Sequence, residues 1–211
     1  MDDPRQLIAD SYDRIAERHA EWAATVRTEE RARYAARLIE KLPAGSNVLE
    51  LGCGTGGETT QMLATHFLLT GVDISARSIV LAQQNVPGAR FLAADMTQIE
   101  FAPQSFDAIV AFYSIIHVPR GEQSALFARI VEWLRPGGLF LAALSSSGAE
   151  AAYDPDWLGV PMFWSGFDRA TTRRLLEAAG LTINSGAIET ADENGKPISF
   201  MWVEACRLTS E

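Results

Sequence analysis

Residues 48–57 read Val48-Leu-Glu-Leu-Gly-Cys-Gly-Thr-Gly-Gly57, an apolar strand that runs into glycines and then into a helical stretch. Gly52, Gly54 and Gly56 let the backbone turn sharply and bring it close to a ligand with no Cβ in the way. Gly52, Gly54 and Gly57 also satisfy G-x-G-x-x-G, the spacing that cradles a dinucleotide pyrophosphate. Two neighbours separate these readings. Glu50 stands two residues before the first glycine, and no Lys or Arg occurs between positions 42 and 76. A phosphate beside an ionised Glu50 would meet about 4 kcal/mol of repulsion at about 4 Å and an effective dielectric near 20. A cation would gain where the phosphate loses.

Outward from this stretch the pattern repeats. Apolar runs at 67–72, 90–94, 106–112 and 139–144 read as buried strands, with helices over 57–66, 75–85 and 120–134 between them. Strands alternating with helices predict an α/β fold, doubly wound around a mostly parallel sheet. Residues 4–42 read as two helices, Pro4 following Asp3 at the start and Pro43–Gly45 closing the second. A helix over 168–179 ends at Gly180, and strands near 181–190 and 197–207 flank Asn194-Gly195, a hairpin signal. The whole chain is expected to be a single domain. Residues 1–45 form a helical lid over the sheet's carboxyl edge, 46–144 the ligand-binding core, 145–167 a substrate-side segment, and 168–211 a helix with the closing hairpin.

Two further acids stand at strand ends. Asp73 closes the second strand about 20 residues beyond the glycine loop, where a carboxylate reaches a ribose. Ser75 is the better placed of the two to cap the following helix. Asp95 closes the third strand, where it could accept from an adenine amino group, with Met96 a soft apolar contact.

The segments VLELGCGTG, GVDIS, AADM, FDAIVAFYSIIHV and LRPGGLFLAAL, in this order, resemble the successive motifs of class I S-adenosylmethionine-dependent methyltransferases. The resemblance covers roughly residues 46 to 144. It implies a seven-stranded sheet whose last strand is an antiparallel insertion, and S-adenosyl-L-methionine as cofactor. It also implies that Glu50 meets the methionine ammonium, Gly52, Cys53, Gly54 and Gly56 line the loop, Asp73 and Ile74 bind the ribose side, and Asp95 with Met96 contact adenine. Phe112 corresponds to a position whose backbone carbonyl faces the methionine end, and Tyr12 to an N-terminal tyrosine that covers the cofactor.

The implied reaction is methyl transfer to a small organic acceptor bearing an O, N or S nucleophile. The alternatives are a protein or RNA methyltransferase and a non-catalytic module that only binds the cofactor. A hydroxyl acceptor must lose its proton, and His117, just past the fourth strand, is placed for that, with Tyr113 a second candidate. In 145–167, Trp157, Phe163 and Trp164 are expected to wall the acceptor. That segment holds three carboxylates and no Lys or Arg, which points to an apolar, aromatic or amine-bearing molecule.

Composition narrows the partners. A net charge of −9 argues against nucleic acid. No run reaches the roughly 18 apolar residues of a membrane span. Three scattered histidines and two distant cysteines offer no metal spacing. The acidic start MDDPRQLIAD lacks an apolar signal core, so cytoplasm is the expected location, with oligomeric state left open.

Overall fold

The structure is a computed structural model that describes residues 3–193 and 195–209. Seven strands form one sheet, β1 (Asn47–Leu51), β2 (Leu68–Asp73), β3 (Arg90–Ala93), β4 (Phe106–Phe112), β5 (Leu134–Ser145), β8 (Leu181–Glu193) and β9 (Lys196–Arg207). A separate pair, β6 (Ala152–Trp157) and β7 (Val160–Trp164), lies outside it. The helices are α1 (Pro4–Ala23), α2 (Thr28–Lys41), α3 (Glu58–His66), α4 (Ala76–Asn85), α5 (Arg120–Trp133) and α6 (Arg169–Ala179).

The chain divides into two compact units, one holding residues up to 99 together with 153–163, the other 100–152 and the chain from 164 onward. In the first unit β1, β2 and β3 run parallel, with Glu50 opposite Gly71 and Asp73 opposite Ala93. Their apolar runs are buried because helices cover them: Val48, Leu49, Leu51 and Val72 are wholly inaccessible. In the second unit β4 and β5 are parallel, while β9 runs antiparallel between β5 and β8. The antiparallel insertion is as expected. Asn194 lies outside the described residues, while Gly195 adopts φ +77° at the hairpin tip.

Close approach fixes one glycine in the first unit. A Cβ on Gly71 would stand 2.6 Å from the Phe91 ring and 2.9 Å from Cys53 Sγ, inside the cluster of Cys53, Ile79, Ala82, Val86 and Phe91. Gly71→Ala should therefore cost about 1–3 kcal/mol by overpacking. Thermal melts should show a fall of roughly 2–10 °C. An unchanged melting temperature would mean that Phe91 swings aside freely.

The helix α1 is tied to the first unit at both its start and its middle. Asp3 caps it, accepting from Arg5 N, and Pro4 takes the first turn. Asp13 accepts from Ser75 Oγ at 2.6 Å and from Arg77 N at 3.0 Å, and Glu17 pairs with the Arg77 side chain. These contacts tie α1 to the first turn of α4, directly after the carboxyl end of β2. Arg5 reaches within 4.0 Å of Asp95 beyond the end of β3. Within this unit α1 thus crosses the strands' carboxyl ends, where α/β sheets bind ligands.

Residues 145–167 are not a bare connection. β6 and β7 form a hairpin turned by Leu158 at φ +48° and Gly159 at φ +81°. Ser11 Oγ donates to Pro161 O at 2.7 Å and Arg18 donates to Leu158 O, so the hairpin is clipped onto α1. No described helix is long and apolar enough to cross a membrane.

Candidate active site

The glycine loop folds as its sequence asks. Gly52, Gly54 and Gly56 all have positive φ (76°, 54° and 70°). Gly52 N and Cys53 N both donate to Val72 O, which pins the loop to the end of β2. The space beside Gly54 is open. Gly56 serves packing instead, since a Cβ there would press on Ala82 of α4 at 3.0 Å. Cys53 turns its side chain into the core, where burial first, then the nearby Asp73 and Glu50 charges, raise its thiol pKa. What Cys53 offers the loop is its backbone.

Asp73 organises this end. Its Oδ2 accepts from Gly54 N at 2.8 Å and its Oδ1 from Ser75 N at 2.9 Å. Each oxygen keeps a lone pair for a further donor. Burial raises the Asp73 pKa and Asp13 adds to the shift, while the backbone donors from Ser75, Gly54 and Ile74 oppose it. Ser75 caps α4, its Oγ accepting from Ser78 N. The phenol of Tyr12 is held above its ordinary range by burial and then by the charge of Asp73.

Glu50 is 6% exposed at the end of β1. Thr60 Oγ1 donates to its Oε1 at 3.2 Å, and its Oε2 is buried without a hydrogen-bond partner. Burial, with Asp73 adding, moves its pKa from 4.5 to about 8 against the pull of Thr60 and Arg31. A phosphate here would thus meet a carboxylic acid at neutral pH, and the repulsion reckoned from full charges is too large. The preference for a cation survives, because only a cation recovers the cost of ionising a buried acid.

Asp95 Oδ1 accepts from Thr97 N and Thr97 Oγ1, both at 2.8 Å. With Ile74 and Gln98 it lines a cavity of about 470 Å³, to which α1 contributes Arg5, Gln6 and Ala9. Met96 is partly buried beside it.

Further along α1, Tyr12, His19 and Trp22 share one face, seven and then three residues apart. Trp157 closes the group, 6.1 Å from Tyr12, 5.8 Å from His19 and 5.4 Å from Trp22 between ring centres. Phe163 is buried against Tyr153. The spacing of the three α1 aromatics was available in the sequence, and His19 belongs with them.

In the second unit β4 ends at Phe112, which packs on Trp202 at 5.1 Å. Tyr113 follows with φ +62°, a strained conformation for a side chain of this size. It stands edge-on to Phe200 and Trp202 at 4.8 and 5.5 Å. His117 ends a short 3-10 turn over Ile115–His117, and its ring lies 6.2 Å from that of Trp164. Among the described residues no group of His, Cys, Asp and Glu could hold a metal ion.

Comparison with known proteins places this geometry. Residues 48–138 match the profile of a methyltransferase domain. Phosphoethanolamine N-methyltransferase 1 of Triticum aestivum is 35% identical over 47% of the chain and 21% of its own length. Trans-aconitate 2-methyltransferase of Delftia acidovorans is 34% identical over 59% of the chain and 48% of its own. The chain thus matches no more than about half the length of these relatives. Magnesium protoporphyrin IX methyltransferase from Synechocystis, solved with bound S-adenosylmethionine, superposes with a TM-score of 0.73 at 18% identity, over 97% of each chain.

Proposed function

We propose that this chain, a member of the class I S-adenosylmethionine-dependent methyltransferase family, transfers the cofactor's methyl group to a small organic acceptor. The observation that carries the reading is the acidic cradle: Glu50 with an unsatisfied, buried Oε2, beside Asp73 clamped by Gly54 N and Ser75 N. S-adenosylmethionine brings an activated methyl on a sulfonium, together with an ammonium, two ribose hydroxyls and an adenine amino group. Glu50 fits the ammonium, Asp73 the hydroxyls and Asp95, in its cavity under α1, the adenine. Tyr12 covers the cofactor from α1. Gly52, Gly54 and Ile74 complete the lining. No cationic side chain stands in 42–76 to receive a pyrophosphate.

On the acceptor side, methyl transfer needs in-line positioning above all. His117 takes the proton when the nucleophile carries one, and Trp164 gives a flat wall beside it. Tyr113, packed between Phe200 and Trp202, is better suited to holding the loop's shape. Trp157 extends the aromatic face from Tyr12, whereas Phe163 is buried against Tyr153 within the hairpin. Relatives named for phosphoethanolamine and trans-aconitate favour a small molecule over a protein or RNA acceptor.

The test is transfer of a labelled methyl group by the purified chain to a panel of small acids, phenols, amines and thiols, with bulk protein and RNA as separate arms. Label on a small acceptor is expected. Label only on protein or RNA, or tight cofactor binding with no transfer, would contradict the reading.

A further inference from the structure

Arg120 opens α5 three residues after His117, at the carboxyl end of β4. It is partly buried, yet no hydrogen bond or ion pair joins its side chain to any described residue, and its Nε is buried without a partner. Its guanidinium stands over the Phe167 ring, 4.3 Å from the guanidinium carbon to the ring centre. Several other sheltered arginines have polar partners. Arg129 pairs with Glu100, Arg173 with Glu177, and Arg207 donates to the carbonyls of Val131, Glu132 and Leu134. The carboxylate beside Phe167, that of Asp168, is engaged with Thr171 N and Thr171 Oγ1. A half-sheltered cation without an anion is costly to keep.

The surroundings are held firmly. Ser165 N donates to Ile116 O at 2.7 Å and Ser165 Oγ to Val118 O at 2.6 Å. Gln123 Nε2, one turn along α5, donates to Val118 O at 2.9 Å and also lies within reach of Ser165 Oγ at 3.4 Å. Gln123 and Ser165 are 4% and 1% exposed. This buried staple fixes the loop carrying His117 against the segment carrying Trp164 and Phe167. The Phe167 ring lies against the guanidinium, the Trp164 ring lies beside the imidazole, and the unpaired charge stands beyond the carboxyl end of β4.

We propose that Arg120 anchors a carboxylate of the methyl acceptor, which makes the substrate an acid with a flat or apolar body. This rests on the methyl-transfer reading and deepens it. A planar guanidinium matches a carboxylate bidentately. Arg120 is the only Lys or Arg in 91–128, and 136–168 contains none, so a phosphate dianion would lack a second cation from these segments. The cation-free count over 145–167 pointed away from anions because it stopped short of the helix that packs beside that segment.

The experiment titrates phenylacetate and hexanoate, and their neutral amides, into protein saturated with S-adenosylhomocysteine, with inorganic phosphate as a further arm. The acids should bind at least about tenfold tighter than the amides. Arg120→Gln should erase that ratio and Arg120→Lys keep part of it, with cofactor affinity held within about twofold in both. Equal binding of acids and amides, binding of neither, an undiminished ratio in Arg120→Gln, or a preference for phosphate would overturn the proposal. Acids that bind through Arg120 while no acceptor is ever methylated would uphold this site and contradict the proposed function instead.

Discussion

Asp73→Ala is expected to lower S-adenosylhomocysteine affinity by about a hundredfold or more, as read by calorimetry. Two hydrogen bonds from ribose hydroxyls to a charged group contribute about 1.5–3 kcal/mol each, and about 2.7 kcal/mol is already a hundredfold. The loop suffers as well. Gly54 N and Ser75 N both lose their acceptor, so the turn beside Gly54 and the entry to α4 loosen together. A variant that fails to fold would say nothing about the ribose, so Asp73→Asn provides the control. It keeps one acceptor oxygen and should fall between wild type and alanine. A folded Asp73→Ala protein with unchanged affinity would place the ribose elsewhere.

Glu50→Gln should produce two opposite effects. At pH 8.5 it should weaken cofactor binding by roughly ten- to a hundredfold, because a buried carboxylate facing an ammonium is exchanged for a neutral amide. In the absence of cofactor it should raise the melting temperature at the same pH. The sign follows from the shift. The folded-state pKa, at about 8, lies above the ordinary 4.5. The stabilisation it represents is complete below 4.5 and is lost as pH rises through 8. Cofactor-free wild type should therefore lose stability across that window, and Glu50→Gln should lose less. Binding runs the other way. Holding a cation requires the carboxylate, so cofactor uptake releases a proton and wild-type affinity climbs with pH until it levels near 8. Calorimetry in buffers of different ionisation heat measures the released proton directly. No proton release in wild type, or the same pH slope in Glu50→Gln, would mean that Glu50 does not face the cation.

Much of the sheet was legible because buried parallel strands are nearly continuous apolar runs ended by glycines or acids. The β4 limits, Phe106 and Phe112, are those of its apolar run. The acids at the ends of β1, β2 and β3 stood out for the same reason, as charges where an apolar pattern stops. The β6–β7 hairpin was not legible. Asp154, Pro155 and Asp156 interrupt its first strand, and the first residue of its turn is Leu158 at φ +48°, which does not signal left-handed backbone as the following Gly159 does. β5 likewise begins at Leu134, through Pro136-Gly137-Gly138, a stretch that reads as a break.

At the site, spacing identified which residues gather at the loop but not which way they point. Cys53 sits between cradle glycines and faces the core, and Gly56 serves α4. His19 and Arg120 do not stand out in the sequence, for one reason. Each takes its meaning from partners on another segment, Trp157 for His19 and Phe167 for Arg120, and single-segment patterns carry no such pairing. The β6–β7 hairpin, with its clip onto α1 through Ser11 and Arg18, is of the same kind.

On the proposed function, the 48–57 loop and its three acids receive a sulfonium amino acid nucleoside and not a dinucleotide. Calorimetric titration of the purified chain with S-adenosylmethionine, S-adenosylhomocysteine and NADH tests it most directly. One site per chain is expected for the first two, lost together in Asp73→Ala, with no measurable heat from NADH. Tight NADH binding with none for S-adenosylhomocysteine would contradict it.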